Sequence, residues 1–233
     1  MDRVVSSYTP TIRALRYSRQ RAQAGTGADS RSLIVAMPTT PGMPSGALPG
    51  VIAEVNRVRN LVPHPVVLSA PDRVPTRAAV LAQLPGCAVA HFACHGATDS
   101  ANPSRSLLVL HDHQADPLTV ASLAPVNLAR AQLAYLSARQ TASVPANGLA
   151  DEAIQLVTAF QLVGFPSVVG TLWEIHERAA TTIAGEFYAG LQTSHGTLDT
   201  SNAARVLHRA VRGQRDRYPR TPFLWAGYLH AGA

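Results

Sequence analysis

The chain has 233 residues, which is enough for one well-buried α/β domain and too few for two domains of ordinary size. Apolar residues make up 46% of the chain and charged residues 15%, a composition that excludes an intrinsically disordered protein. The net charge of +6 is compatible with nucleic-acid binding, but all twenty basic residues are arginine, which indicates a codon bias toward G and C rather than selection for phosphate contacts.

Helical and strand patterns alternate along the chain. The N-terminal half predicts, in order, a helix over 11–23, a strand over 32–37, a Pro/Gly-rich loop over 38–50, a helix over 51–61, a strand over 65–69, a helix ending at residue 84 and a strand over 87–93. The C-terminal half predicts strands over 106–110 and 131–137, a helix over 149–163, a strand over 166–173, helices over 177–192 and 201–217, and a short apolar segment over 223–229. This alternation predicts one α/β domain over 1–233, built on a mostly parallel sheet with helices on both faces.

Capping residues mark the ends of three predicted helices. Thr9 and Pro10 fit the start of the first helix, as an N-cap and a first-turn proline. Thr76 fits the N-cap of the helix that ends at residue 84, and Gly164 fits the C-cap of the helix over 149–163.

Cysteine content and hydropathy bear on the compartment. Cys87 and Cys94 are the only cysteines, and two nearby thiols make no disulfide framework, which favours a reducing environment. The sequence has no run of eighteen apolar residues and no apolar core of a secretory signal. We therefore expect a cytoplasmic protein without a membrane span.

The densest group of basic residues lies near the C-terminus. It consists of Arg205, Arg209, Arg212, Arg215 and Arg217. The first three recur at helical spacing and would share one face, and no aromatic residues are interleaved to stack on bases. A solvated helix face is therefore favoured over a nucleic-acid site.

Polar residues follow two apolar strands at the points where those strands end. The first segment is HFACHG, 91–96, and the second is YLSARQT, 135–141. Functional residues of open parallel sheets collect past the carboxyl ends of the strands, and neighbouring strands lie about 4.8 Å apart. We therefore expect the two strand tips to face each other across one shallow cleft.

Three segments in this order resemble the CHAT domain family, whose members are relatives of caspases and separases. They are HFACHG (91–96), LSARQT (136–141) and VVGTLW (168–173), and the segment 151–165 is similar to the family's helix between the last two. The resemblance spans the chain from about residue 30 to the C-terminus and implies a caspase-like fold with a mostly parallel sheet. Since the family domain usually begins further upstream, often behind helical repeats, it also implies that an N-terminal part is missing and that helical-repeat regions are fused to or associated with the domain.

The resemblance also implies a Cys–His dyad, in which the imidazole takes the thiol proton and the thiolate attacks a peptide carbonyl. His95 matches the family's general base, and Gly96 is the neighbour whose backbone would approach the substrate and its oxyanion. The position of the nucleophilic cysteine holds Arg139, whose guanidinium stays protonated and cannot attack a carbonyl. Cys94 should point away from His95, because side chains alternate along an extended strand, and it is not expected to take over as nucleophile.

The surroundings of Arg139 are predicted from its charge. An unpaired buried guanidinium is unfavourable, so we expect Arg139 to reach solvent or to meet a carboxylate. The candidate carboxylates are Asp99, Asp151, Glu152 and Glu174. The first three are also the candidate substrate-binding residues.

Neither a metal nor a cofactor is predicted. His111, Asp112 and His113 have no third or fourth ligand at a persuasive spacing, so a polar turn is favoured over a metal site. No GxGxxG or P-loop sequence occurs, which removes the two commonest nucleotide-binding motifs of α/β chains.

The sequence leaves three functions open. The first is a catalytically inactive CHAT-type module that works by binding a peptide or protein partner. The second is the inactivated form of a genuine Cys–His endopeptidase, which a cysteine at position 139 in close relatives would favour. The third is a basic nucleic-acid-binding domain, which binding to duplex DNA at physiological salt would favour.

Overall fold

Helices and strands alternate through the computed structural model, which describes residues 4–22, 29–43, 47–99, 101–137, 139–140 and 149–233. The helices are α1 (Ile12–Ala22), α2 (Gly50–Val58), α3 (Arg77–Gln83), α4 (Val120–Leu123), α5 (Leu149–Val163), α6 (Glu177–Leu191) and α7 (Ala203–Arg217). The strands are β1 (Arg31–Ala36), β2 (Pro65–Leu68), β3 (Cys87–Ala93), β4 (His95–Ala97), β5 (Leu107–Val109), β6 (Leu118–Thr119), β7 (Leu133–Leu136), β8 (Arg139–Gln140), β9 (Ser167–Thr171) and β10 (Tyr228–Gly232).

Six strands form the central sheet, in the order β2–β1–β3–β7–β9–β10. The strands from β2 to β9 pair in parallel, and β10 pairs antiparallel with β9 at one edge. The predicted α/β class with a mostly parallel sheet is therefore confirmed. The edge strand β10 begins near the end of the apolar segment predicted over 223–229, for which no strand was predicted.

Helices cover both faces of the central sheet, as predicted. Phe92 and Cys94 belong to the core cluster that includes side chains of α3 and α5, whereas Val89 and Ala93 belong to the cluster that includes side chains of α2, α6 and α7. Phe92 meets Phe160 of α5 edge to face, with 5.6 Å between the ring centroids. Burying one such aromatic side chain stabilises the fold by about 1.5–3 kcal/mol, so the alternation along β3 holds both helical layers.

A second, smaller sheet adjoins the tips of β3 and β7, in the order β6–β5–β4–β8. The strand predicted over 106–110 appears as β5 and belongs here rather than to the central sheet. It pairs antiparallel with β4 because the connection from Ala97 to Leu107 is shorter than the crossover that a parallel pair requires.

One of the three predicted helix caps is wrong. Helix α1 is capped by Thr11, whose Oγ1 accepts a hydrogen bond from the Ala14 amide at 3.0 Å, while the Thr9 hydroxyl donates to the Thr11 carbonyl at 3.2 Å. The other two caps are confirmed. Thr76 Oγ1 accepts from the Ala79 amide at 3.2 Å, and Gly164 takes the left-handed conformation at a φ of +133°.

A buried polar cluster lies between β3 and the helices α2 and α6. His91 is completely buried, and its Nε2 lies 3.1 Å from Glu54 Oε1 while its Nδ1 lies 3.2 Å from the Tyr188 hydroxyl. The imidazole stacks on Tyr135 with 5.0 Å between ring centroids. Burial, with a smaller effect of Glu54, raises the pKa of Tyr188 well above its usual value, so the hydroxyl keeps its proton.

His230 fastens the N-terminal residues to the edge of the sheet. The Tyr8 amide donates to the His230 carbonyl at 2.8 Å, and the Gly232 amide donates to the Tyr8 carbonyl at 3.0 Å. The imidazole of His230 lies 2.8 Å from Ser7 Oγ at one nitrogen and 2.8 Å from Ser167 Oγ at the other. Burial lowers the pKa of His230 to about 4, so the ring is neutral at pH 7.

Replacing Gly170 by alanine should destabilise the fold. A Cβ at this position of β9 would collide with the Cγ2 methyl of Val157 in α5, and overpacking of this kind costs about 1–3 kcal/mol. Urea unfolding of Gly170→Ala checks the loss. The exposed helical Gly213 provides the matched control, since Gly213→Ala should instead raise the unfolding free energy by about 0.5–1 kcal/mol. Unchanged stability of Gly170→Ala would contradict the close α5–β9 contact.

The stability of the protein should fall as the pH drops from 6.5 to about 4. Over this range the unfolded chain protonates His230 while the folded chain, with its pKa of about 4, does not, so protons favour unfolding. The loss attributable to His230 is about 3 kcal/mol. The check is urea unfolding at pH 7 and pH 4 of the protein and of His230→Asn, in which this part of the pH dependence should disappear. Equal pH dependence in both would contradict the assignment.

Candidate functional site

His95 and Arg139 lie opposite each other on neighbouring parallel strands. Along β3 and β7 the register places Phe92 opposite Leu136, and the same offset continues past the strand ends, where His95 of β4 pairs with Arg139 of β8. The predicted juxtaposition of the two strand tips is therefore present in the backbone. The side chain of Arg139 lies outside the part of the chain that the structure describes, as do Ala138 and Thr141 of the LSARQT segment, so the shared cleft stays a prediction.

β4 is held from both sides by backbone pairing. His95 pairs with Val109 of β5 on the antiparallel side, and Gly96 pairs with Leu108 there and with Gln140 of β8 on the parallel side. His95 is 6% exposed, so its ring is almost fully enclosed. The predicted base is thus carried by regular strand structure, which fixes the backbone from which its imidazole projects.

Asp99 organises the connection between β4 and β5. Its Oδ1 accepts hydrogen bonds from the amides of Ala101 at 3.1 Å and Asn102 at 2.9 Å, and its own amide donates to Ser106 Oγ at 3.1 Å. Arg105 Nε lies 3.4 Å from the other carboxylate oxygen. The carboxylate predicted to line a substrate pocket therefore serves its own loop, a common use of aspartate in turns.

The other candidate carboxylates are placed by their backbones. Asp151 and Glu152 lie in the first turn of α5, and their side chains belong to the part of the chain that is not described. Glu174 is exposed and follows the end of β9. A carboxylate partner for Arg139 remains a prediction.

Cys94 is unsuited to replace a missing nucleophile. Its side chain is fully buried in the cluster that contains Phe92, on the opposite face of the strand from Ala93. Burial raises the pKa of the Cys94 thiol to about 12, and burial also raises the pKa of Cys87. Because the thiolate is the reactive form, neither cysteine has the character of a nucleophile at neutral pH.

The segment 111–113 has a structural use. Both carboxylate oxygens of Asp112 lie 3.1 Å from the Arg77 amide at the start of α3, and His113 Nδ1 lies 2.9 Å from the Leu110 carbonyl. Among the described residues, no three His, Cys, Asp or Glu side chains form a group that could hold a metal ion. In the same residues, no helix has the length and apolar character needed to cross a membrane.

Two features escaped the sequence analysis. The first is the contact between Glu54 and His91. The signal for it in the sequence is that Glu54, a charged residue, lies within the apolar stripe of α2 between Val51 and Val55. The second is a cavity of about 570 Å³ between α2, α6 and α7, whose wall includes Gln214 and Arg217. Its residues come from separate segments of the chain, and Arg217 belongs to the group of arginines for which a solvated helix face is predicted.

The chain has a caspase-like α/β fold. It is similar to the complex of Porphyromonas gingivalis RgpB pro- and mature domains, with a TM-score of 0.57 and 12% sequence identity over 94% of this chain and 52% of that chain. It is also similar to the Arg specific cysteine proteinase gingipain R, with a TM-score of 0.55 and 12% identity over 94% of this chain and 51% of that one. The chain thus spans about half the length of these relatives, and at this identity the likeness concerns the fold.

The match to the CHAT domain family extends over residues 1–233, and the chain belongs to this family. The resemblance carried by HFACHG, LSARQT and VVGTLW is therefore confirmed. A search among curated protein sequences found no match.

In the folded protein, Cys94 should resist alkylation. At pH 8 a thiol with a pKa of about 12 is almost entirely protonated, so iodoacetamide should modify Cys94 at least about 100-fold more slowly than in urea-unfolded protein. Mass spectrometry of the digested protein separates Cys94 from Cys87. Rapid modification of Cys94 without urea would show that the thiol is accessible and would reopen its role as nucleophile.

Proposed function

We propose that this CHAT domain is catalytically inactive and acts by binding an extended peptide segment of a partner protein at the tips of β4 and β8. The observation that carries the proposal is the pairing of His95 with Arg139 on adjacent parallel strands. In a Cys–His dyad the residue facing the histidine supplies the thiolate, and an arginine at that position supplies a permanent positive charge instead.

The burial of Cys94 supports the proposal that the domain is catalytically inactive. A covalent route to peptide cleavage needs a nucleophile that the base can deprotonate, and the described residues near His95 provide only this thiol on the wrong face of the strand. The alternative, an inactivated form of a genuine endopeptidase, differs in one respect. It requires that a thiol at position 139 restores cleavage.

The proposal that the domain binds a peptide is supported by the fold and by the position of the strand ends. Parallel strands bring backbone amides and polar side chains together past their carboxyl ends, the usual ligand edge of open α/β sheets. One protein with this fold is an Arg specific cysteine proteinase, and a peptidase must hold its substrate chain before cutting it. A permanent cation beside His95 would favour a peptide with an acidic residue near the contact point.

A cysteine at position 139 tests the dyad geometry. In Arg139→Cys the new thiol should face His95, and its alkylation by iodoacetamide at pH 7 should be about tenfold faster than in Arg139→Cys with His95→Ala, because a nearby imidazole increases the thiolate fraction. Arg139→Ser controls for reaction at Cys87 and Cys94. Equal rates with and without His95 would mean that the two tips do not form a dyad.

Peptide electrophiles extend the same experiment to binding and cleavage. A library of acyloxymethyl ketone peptides should label Arg139→Cys in a sequence-dependent way, and the preferred peptide without its electrophile should bind the unmodified chain in fluorescence polarisation. The unmodified chain should leave fluorogenic peptides intact. Labelling without sequence preference would contradict a peptide site, and peptide cleavage by Arg139→Cys would favour the inactivated endopeptidase.

A further inference from the structure

A carboxylate is enclosed between helix α2 and the central sheet. Glu54 is 2% exposed, and its Oε1 lies 3.1 Å from Nε2 of the fully buried His91 of β3. Glutamate is almost never buried to this extent unless it is paired. Apolar residues of similar volume often stabilise a core as well as a buried ionisable pair does, so stability alone does not account for this pair.

The loop that leads from β1 into α2 is pinned at both of its ends. At its start, the Met37 amide donates to the carbonyl of Ala93, the last residue of β3, at 2.9 Å. At its end, the Leu48 amide donates to the Pro38 carbonyl at 2.7 Å, and Met37 and Leu48 are both buried. The Val51 amide then donates to the Leu48 carbonyl at 3.0 Å, which ties the loop to the first turn of α2.

The strand register brings the start of this loop to the level of His95. β1 and β3 pair with a constant offset from Ser32 to Ala36, which lies opposite Ala93. Continued by two residues, the same offset places Pro38 level with His95. The partner of His95 on this side is β5, so the loop begins where β5 takes over from β1. Since neighbouring strands lie about 4.8 Å apart, the loop starts close to the strand tips at which a peptide is proposed to bind.

These contacts form a closed circuit around the end of β3. It runs from β3 through the Glu54–His91 contact to α2, from α2 through Leu48 and Met37 along the loop, and back to β3. β4, in contrast, is held on both sides by strand pairing and does not depend on α2. Weakening the contact between Glu54 and His91 should therefore loosen the loop without displacing His95.

We propose that Glu54 is a positioning residue for the peptide site and acts through α2 on the loop that begins at Pro38. This role rests on the function proposed for the strand tips, and it assigns the loop to the wall of the peptide site beside His95. Glu54 itself is too deeply buried to touch a peptide. Its carboxylate fixes α2 against His91, and the position of α2 sets the position of the loop.

Two reagents test the proposal in the Arg139→Cys chain. Glu54→Gln removes the charge and keeps the shape of the side chain. It should raise the half-saturating concentration of the preferred acyloxymethyl ketone peptide about tenfold, because the loosened loop holds the peptide less well. The His95-dependent rate of alkylation by iodoacetamide should stay within about twofold, because strand pairing holds β4. Unchanged peptide recognition, or equal losses with both reagents, would overturn the proposal.

A variant on the opposite face of the sheet controls for stability. Gly170→Ala is expected to destabilise the fold through α5, and it should leave peptide labelling within about twofold. Amide hydrogen exchange supplies a local readout. The Met37 and Leu48 amides should lose protection relative to the Phe92 amide. This loss should occur in Glu54→Gln and not in Gly170→Ala. Equal loss of peptide labelling in both variants would reduce Glu54 to a structural residue and overturn the proposal.

Should Glu54→Gln fail to fold, Tyr188→Phe provides the test. It keeps the aromatic ring and removes the hydroxyl that lies 3.2 Å from His91 Nδ1, so it should weaken peptide recognition about threefold. Unchanged recognition in a folded Tyr188→Phe chain would overturn the proposal.

The peptide site and the positioning role fail in different ways. Labelling of Arg139→Cys without any sequence preference would contradict the peptide site, and the role of Glu54 with it. Sequence-dependent labelling that is insensitive to Glu54→Gln would contradict the role of Glu54 alone.

Discussion

The pairing of β3 with β7 is the constraint on which the candidate site depends. Its parallel register continues unchanged into β4 and β8, so that the residue opposite each position is fixed well before the chain reaches His95. A slip of one residue would turn every side chain of the strand to the other face of the sheet. It would expose Phe92 and Cys94, both fully buried, to the wrong helical layer. The hydrophobic core therefore sets which residue faces His95, and no contact within the site itself is needed to do so.

The two faces of the central sheet are built differently. In the layer with α5, apolar side chains pack by shape against the sheet, as the edge-to-face pair of Phe92 and Phe160 shows. The layer with α2 and α6 encloses His91, which shares a directional hydrogen bond with Tyr188 and lies 3.1 Å from Glu54. Removing the hydrogen-bond partner of a buried polar group typically costs about 1–3 kcal/mol, because the remaining group is left unsatisfied. This face therefore fixes the positions of α2 and α6 against β3 more specifically than apolar packing would.

Long and strongly patterned elements could be predicted from the sequence. β3 and α5 appear with the predicted bounds because an uninterrupted apolar run and a periodic stripe of fifteen residues leave little ambiguity. The placement of His95 beside Arg139 could also be anticipated, since it follows from strand tips alone. The strands β4, β6 and β8 could not, because two or three residues carry no period and form only through pairing partners distant in sequence. The hydrogen bonds of Asp99 could not be predicted for a related reason: in the sequence, a single aspartate looks the same whether it lines a pocket or closes a turn, and its role in a substrate pocket stays a prediction.

The segment between β9 and α6 connects the central sheet to the cavity between α2, α6 and α7. Beyond Thr171 the chain is fastened by the Leu172 amide, which donates to the Gly227 carbonyl at 2.7 Å, and by Trp173 Nε1, which donates to the Phe223 carbonyl at 2.9 Å. Gly227 lacks a side chain at a point where a Cβ would lie 2.7 Å from the Trp173 ring, so the indole is clamped against this turn. The segment then reaches His176, which lines the cavity between α2, α6 and α7. The strand end and the cavity wall are thus parts of one short, doubly anchored stretch of chain. Because these two hydrogen bonds and the close packing of Trp173 on Gly227 resist small displacements, a shift of His176 would be felt at the end of β9.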